Sequence, residues 1–136
     1  MPYTVLSHTA DTGIEATAPT LAGLISELAT GMFALVASGG VAEAGLTIEA
    51  MVEAGSVEDL VVDVLSDLLY RSEVEDLIPI DIVITLSAPT NALVRAGGVP
   101  IADIEVLGPP IKAVTYHDLA VEETPDGWIG RVYFDV

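Results

Sequence analysis

The first group of residues that could do chemistry is a polar cluster from His8 to Thr12. It combines an imidazole, two hydroxyls and the Asp11 carboxylate, and Gly13 follows where a tight turn needs a flexible backbone. Side chains of these types could help to bind a cation. They could equally belong to a surface turn in which the Asp11 carboxylate accepts a hydrogen bond from a nearby backbone N–H. The cluster alone leaves both interpretations open.

A second group of carboxylates lies at the other end of the chain, where Asp135 stands beside the terminal carboxylate of Val136. If the first and last strands are neighbours, these oxygens converge at one end of a sheet. Ca²⁺ and Mg²⁺ are hard cations that bind carboxylate oxygens and accept water in the remaining positions. Asp11, Asp135 and Val136 are therefore candidate metal ligands.

Several other kinds of site are excluded by their missing motifs. The sequence contains neither the dinucleotide motif GxGxxG nor the phosphate-binding motif GxxxxGK[ST]. It has two histidines, no cysteine and no HExxH motif, so a zinc site would need carboxylates to complete it. No nucleophile-elbow pattern supports a Ser-His-Asp triad. We assign no catalytic residue to the chain.

The charge of the chain limits its partners. Four Lys and Arg residues stand against 21 Asp and Glu residues, which gives a formal net charge of −17. Such a field repels phosphate backbones, so direct nucleic-acid binding is not expected, whereas cations or a protein with a basic surface are favoured. Adaptation of the host to a salt-rich cytoplasm would produce the same acidity, and net charge alone does not separate the two explanations.

Length and composition predict one cytoplasmic domain over residues 1–136. The chain is long enough for a core, and 51% of its residues are hydrophobic. The absence of cysteine fits a reducing compartment. No signal-like opening is present, and no apolar run reaches the roughly 18 residues of a membrane span.

Hydrophobic periodicity predicts the elements that position the candidate ligands. Spacings of three and four predict one helix after an N-cap at Thr20 and a second after an N-cap at Ser56. Alternating residues predict strands, and unpatterned residues predict a loop over 97–110. The strands are expected at residues 14–17, 46–54, 80–88, 92–96, 111–121 and 128–136, with a turn at Pro125-Asp126-Gly127 before the last of them. Two helices packed on a mainly antiparallel sheet of five to seven strands form a two-layer α+β domain.

Four segments together resemble the archease family: SHTADTGI at 7–14, DVLSDLLY at 63–70, KAVTYH at 112–117 and the final Asp135-Val136. The match runs in order over nearly the whole chain. Archeases are small α+β proteins that act with the RtcB-type tRNA-splicing ligase, which joins RNA ends using GTP and Mn²⁺. The resemblance implies an accessory protein that promotes guanylylation of the ligase's active-site histidine and restores its turnover, and not a catalyst.

The resemblance also implies a bound divalent cation, typically Ca²⁺ with Mg²⁺ or Mn²⁺ as alternatives. It assigns the ligands to Asp11, Asp135 and Val136. Two other functions stay open: a small hydrolase that uses the cation to activate water, and a general chaperone with exposed apolar surface.

Other polar residues have less specific roles. Lys112, the only lysine, is either a partner contact or a counter-ion for the surplus acids. Tyr116 and His117 are expected late in a strand, where successive side chains face opposite ways, so one of the two is expected in the core. Asp63 and Asp67 are expected on the solvated face of the second helix.

Overall fold

The computed structural model describes residues 3–7, 11–37, 45–107 and 110–136. Within these ranges the chain forms two helices and eight strands. Neither described helix is long and apolar enough to cross a membrane. In chain order the elements are β1 (Tyr3–Ser7), β2 (Asp11–Ala18), α1 (Leu21–Ala34), β3 (Leu46–Glu53), α2 (Val57–Glu75), β4 (Leu77–Ala88), β5 (Asn91–Pro100), a 3₁₀ turn (Ile101–Asp103), β6 (Ala113–Val114), β7 (Ala120–Thr124) and β8 (Gly127–Asp135).

Both helices begin at the predicted N-caps. The Thr20 hydroxyl accepts a hydrogen bond from the Gly23 amide at 3.0 Å, and the Ser56 hydroxyl accepts one from the Asp59 amide at 3.1 Å. Each bond satisfies an amide of the first helical turn, which has no partner within the helix. The two caps therefore define where each helix starts.

The strands form two antiparallel sheets, whereas the sequence suggested one sheet. The five-stranded sheet has the order β1-β2-β8-β6, with β7 also pairing with β8, and the three-stranded sheet has the order β3-β5-β4. Each helix contacts strands of both sheets. The fold class is α+β, with two helices packed on antiparallel sheets, as predicted.

The core lies where α1 and α2 meet the inner faces of the sheets. A Cβ atom at Gly130 of β8 would lie only 3.0 Å from a methyl carbon of Leu24, so this strand approaches α1 closely. Burial of the side chains on these faces stabilises the five-stranded sheet, which positions the ends of β2 and β8. The largest fully buried side chains are Phe134, Ile14, Leu24, Ile25, Leu28, Met32, Leu60, Leu65, Leu68, Leu77, Val61 and Val64.

The strand boundaries around Pro79 differ from the prediction. β4 already begins at Leu77, so Pro79, which was expected to precede the strand, pairs with Gly98 inside it. β4 is an edge strand, which pairs on one side only, and edge strands are where prolines occur within sheets. β5 continues to Pro100, so residues 97–100, which were expected in a loop, form strand.

A β-bulge bends β4 beside α1. The pairing register with β5 shifts between Ile80 and Val83, and Asp81 adopts a left-handed conformation with φ of 51°. The Ser26 hydroxyl of α1 donates a hydrogen bond of 2.6 Å to the Ile82 carbonyl. The bulge increases the local twist, which makes an edge strand a poor template for pairing with another chain.

Candidate functional site

The predicted metal ligands lie where β2 begins and β8 ends. Asp11, which was expected in a turn, is the first residue of β2, and its partner in the strand register is Asp135, the last residue of β8. Directly opposed residues of antiparallel strands have Cβ atoms about 4.5–5.5 Å apart. Val136 follows immediately. The backbone therefore brings these three residues to one end of the five-stranded sheet.

Asp135 is held from both sides. Ala113 of β6 is its register partner opposite β2, and the Lys112 amide donates a hydrogen bond of 2.7 Å to the Asp135 carbonyl. The Lys112 side chain is exposed. Its two interpretations, partner contact and counter-ion, both remain compatible with this position.

The chemistry available at this end of the sheet is that of oxygen ligands. Asp135 and Val136 are exposed, so a hydrated cation could reach both. The Asp11 side chain and His8 lie outside what the structure describes. Among the described side chains, no three His, Cys, Asp or Glu residues are grouped so that they could hold a metal. The predicted ligand set is not covered by that statement, because it includes the Asp11 side chain and the main-chain carboxylate of Val136.

The long strand predicted over 111–121 is wrong. β6 contains only Ala113–Val114, and the ladder resumes at Ala120 in β7. Between these strands Tyr116 and His117 are both exposed, whereas the prediction placed one of them in the core. The segment is a loop that presents two aromatic side chains.

Local hydrogen bonds explain why residues 115–119 leave the strand. The Thr115 hydroxyl accepts a hydrogen bond from the His117 amide at 3.3 Å, and the Leu119 amide donates one to the Tyr116 carbonyl at 3.2 Å. Asp118 adopts a left-handed conformation with φ of 49°. Side-chain bonds to nearby backbone groups compete with ladder pairing.

Tyr116 ties this loop to α2. Its hydroxyl donates a hydrogen bond of 2.6 Å to a carboxylate oxygen of Asp59 near the start of the helix. The hydrogen bond is the largest cause that raises the pKa of Tyr116 from 10.0 to about 12, and the negative charges of Asp59 and Asp63 act in the same direction. The proton is retained because tyrosinate would face carboxylates.

The hydrogen bond between Tyr116 and Asp59 is predicted to stabilise the fold in a pH-dependent way. Between pH 10.0 and about 12 the unfolded chain loses the Tyr116 proton while the folded chain keeps it, so the stability from this bond is complete below pH 10.0 and is lost as pH rises through about 12. We expect Asp59→Asn to shift the latest tyrosinate absorbance step to lower pH. Tyr116→Phe is the control, because it should delete that step. A late step that persists in Tyr116→Phe would contradict the assignment.

Of the two acids expected on the solvated face of α2, Asp63 is exposed, whereas Asp67 is part-buried. Asp67 forms an i,i+4 ion pair with Arg71, whose Nε lies 2.8 Å from a carboxylate oxygen. Surface pairs of this kind contribute at most about 1 kcal/mol. We therefore assign Asp63 and Asp67 no role beyond the surface of the helix.

Sequence reasoning missed Tyr133, which lies two residues before Asp135 on β8. A Cβ atom at Gly13, its register partner on β2, would lie 2.7 Å from ring atom Cδ1 of Tyr133. The ring therefore occupies the space above a glycine, and it also lies 5.9 Å from the His117 ring between centroids. Only the pairing of β2 with β8 reveals this arrangement.

Comparison with known protein families finds one match over nearly the whole chain. A model described as the archease protein family (MTH1598/TM1083) matches residues 3–136. The protein archease of Pyrococcus furiosus is 29% identical over 134 residues, covering 95% of this chain and 94% of that protein. The protein archease of Methanosarcina acetivorans is 30% identical over 139 residues, covering 98% and 95%.

Two solved structures have the same fold. The solution structure of Methanobacterium thermoautotrophicum protein 1598 superposes with a TM-score of 0.84 at 21% identity and covers 99% of both chains. The crystal structure of an archease from Thermotoga maritima, described as a possible chaperone, has a TM-score of 0.69 at 24% identity and covers 96% of this chain and 94% of its own. The family of the chain is shown by the match of the family model over residues 3–136. The chain belongs to the archease family.

Proposed function

We propose that this archease is an accessory protein of an RtcB-type RNA ligase. In this role it promotes guanylylation of the ligase's active-site histidine and so restores multiple turnover in tRNA splicing or RNA repair. The proposal rests on membership of the archease family over residues 3–136 and on the resemblance of four sequence segments to that family. The ligase performs the RNA chemistry, and the archease acts by binding to it in the cytoplasm.

The proposal includes a divalent cation, with Ca²⁺ as the first expectation. The observation that supports it is the register of β2 with β8, which sets Asp11 opposite Asp135 at the end of the sheet. The donor set is chemically suitable, because carboxylate oxygens are the ligands that Ca²⁺ and Mg²⁺ prefer. When bound, the cation would offset the charge of these acids and hold the end of β8 to the start of β2.

The accessory function predicts an effect that needs two proteins. The archease alone should incorporate no label from GTP and should not ligate or hydrolyse RNA. The ligase together with a small amount of archease should complete many more guanylylation cycles than the ligase alone. The measurement is the amount of ligase labelled by radioactive GTP over time and the number of RNA joints formed per ligase. Equal turnover with and without archease would contradict the proposal.

A general chaperone is the second candidate, because a related structure is described as a possible chaperone. Exposed apolar side chains on the three-stranded sheet give this function some basis: Leu46, Met51 and Val83 are between 50% and 60% exposed. A chaperone should suppress aggregation of an unrelated unfolding protein, whereas a ligase activator should not. A parallel aggregation assay with a ligase-independent client therefore separates the two functions.

A further inference from the structure

The five-stranded sheet has an outer face on the side opposite the helices. In β2 and β8 the buried residues Ile14 and Val132 are register partners and belong to the core that includes α1. Side chains alternate along a strand, so the residues between the buried ones point to the other side. The outer face is defined here by Gly13, Glu15, Ile129, Arg131, Tyr133 and Asp135, with His117 and Glu122 beside them.

An aromatic pair stands on this outer face. Tyr133 lies above Gly13, as described, and its ring meets the His117 ring at 61° with centroids 5.9 Å apart. The His117 side chain is 56% exposed. The Thr115 amide bonds to the Tyr133 carbonyl at 3.1 Å, and Nε of Arg131 bonds to the Asp118 carbonyl at 3.0 Å. The loop is thus fixed to β8, and the pair is preorganised.

The charges around this pair are mostly negative. The carboxylate of Asp118 lies 3.3 Å from Nε2 of His117, and Asp135 follows two residues after Tyr133 on the same strand face. Arg131 is the one described arginine or lysine of the outer face; its Nε donates to the Asp118 carbonyl, and its single positive charge is outnumbered by the acids. A tyrosine ring flanked by carboxylates attracts a guanidinium group through the ring quadrupole and the negative charges together. The other acids of the outer face are Glu15 and Glu122.

We infer that the outer face is the docking surface for a basic segment of the protein partner, with an arginine of that segment seated against the ring of Tyr133, beside His117. This inference rests on the proposed function, which makes the partner a ligase. The charge complementarity favours a cationic polypeptide over RNA, because Asp118, Glu15 and Glu122, which lie outside the proposed cation site, repel phosphates. The interaction places the partner beside Asp135 and the proposed cation.

The test measures binding of the full-length archease to its ligase by calorimetry. Tyr133→Leu keeps apolar cover above Gly13 but removes the aromatic ring, and it should weaken binding about tenfold, within the range of a partly desolvated cation–π contact. Tyr133→Phe should retain binding, because the ring remains. Tyr70→Leu is the matched control, since Tyr70 is an exposed tyrosine on α2, 65% exposed. Unchanged urea midpoints establish that all three variants are folded.

The outcomes separate the two proposals. Absence of binding between the natural archease and the ligase would overturn the proposed function. Binding that is equally strong in Tyr133→Leu, or equally weakened in Tyr70→Leu, would overturn the assignment of the outer face. A short arginine-rich peptide should also shift the NMR signals of Tyr133 and His117. If a single-stranded RNA oligonucleotide shifts them and the peptide does not, the face accepts nucleic acid and the inference is wrong.

Discussion

Gly127→Ala is expected to destabilise the fold by about 2–6 kcal/mol, the sum of backbone strain and overpacking. Gly127 begins β8 after the turn at Pro125–Asp126 and has φ of 136°, a conformation that L side chains rarely adopt. A Cβ atom there would lie 2.4 Å from the Ala18 carbonyl oxygen and 3.0 Å from Cα of Pro19. Both neighbours are backbone atoms, so the strand pair itself would have to move.

Urea unfolding followed by tryptophan fluorescence measures this effect, because Trp128, the only tryptophan, is the next residue. The control is Gly45→Ala, where a Cβ atom would have no neighbour within 4 Å. We expect the control to stay within about 1 kcal/mol of the natural protein. A Gly127→Ala variant that unfolds at the same urea concentration as Gly45→Ala would contradict the geometry at the start of β8.

Features set by neighbouring residues were predictable from the sequence. Thr20 and Ser56 were identified as N-caps because a hydroxyl before an apolar helical pattern has a local reason to accept an amide hydrogen bond. The turn at Pro125–Asp126 was also predicted, and β7 and β8 meet there. In each case the deciding contact spans three or four residues, which a sequence pattern can show.

Features set by distant residues were not predictable in this way. The alternation over 111–121 favoured one strand, yet the Tyr116 hydroxyl bonds to Asp59 of α2, far away in the sequence, and the ladder with β8 is interrupted between β6 and β7. Similarly, the sequence identified Asp11 and Asp135 as candidate ligands. It predicted that they lie close together only on the condition that the first and last strands are neighbours. The register of β2 with β8 is a property of sheet assembly, and no local pattern specifies it.

The proposed cation predicts that the end of β8 is sensitive to small changes. Asp135→Ala removes one carboxylate from the proposed ligand set, and Asp135 is exposed, so the fold should survive. The loss in Ca²⁺ affinity should exceed the roughly 10–100-fold that follows removal of an outer-shell partner of a metal ligand. Asp126→Ala is the matched control: it removes another exposed aspartate, near the opposite end of β8, and should leave Ca²⁺ affinity unchanged.

A chain extended beyond Val136 is the sharper probe of the same site, because it alters no side chain. The extension converts the Val136 carboxylate into a peptide carbonyl, which removes one negative charge and adds bulk where a hydrated cation would lie. An N-terminal extension of the same length leaves that carboxylate intact. Calcium titration by calorimetry should therefore show normal binding in the protein that ends at Val136 and in the N-extended protein, and weak or no binding in the C-extended protein. Equal affinity in all three, or binding in none, would mean that Asp11, Asp135 and Val136 do not form this cation site.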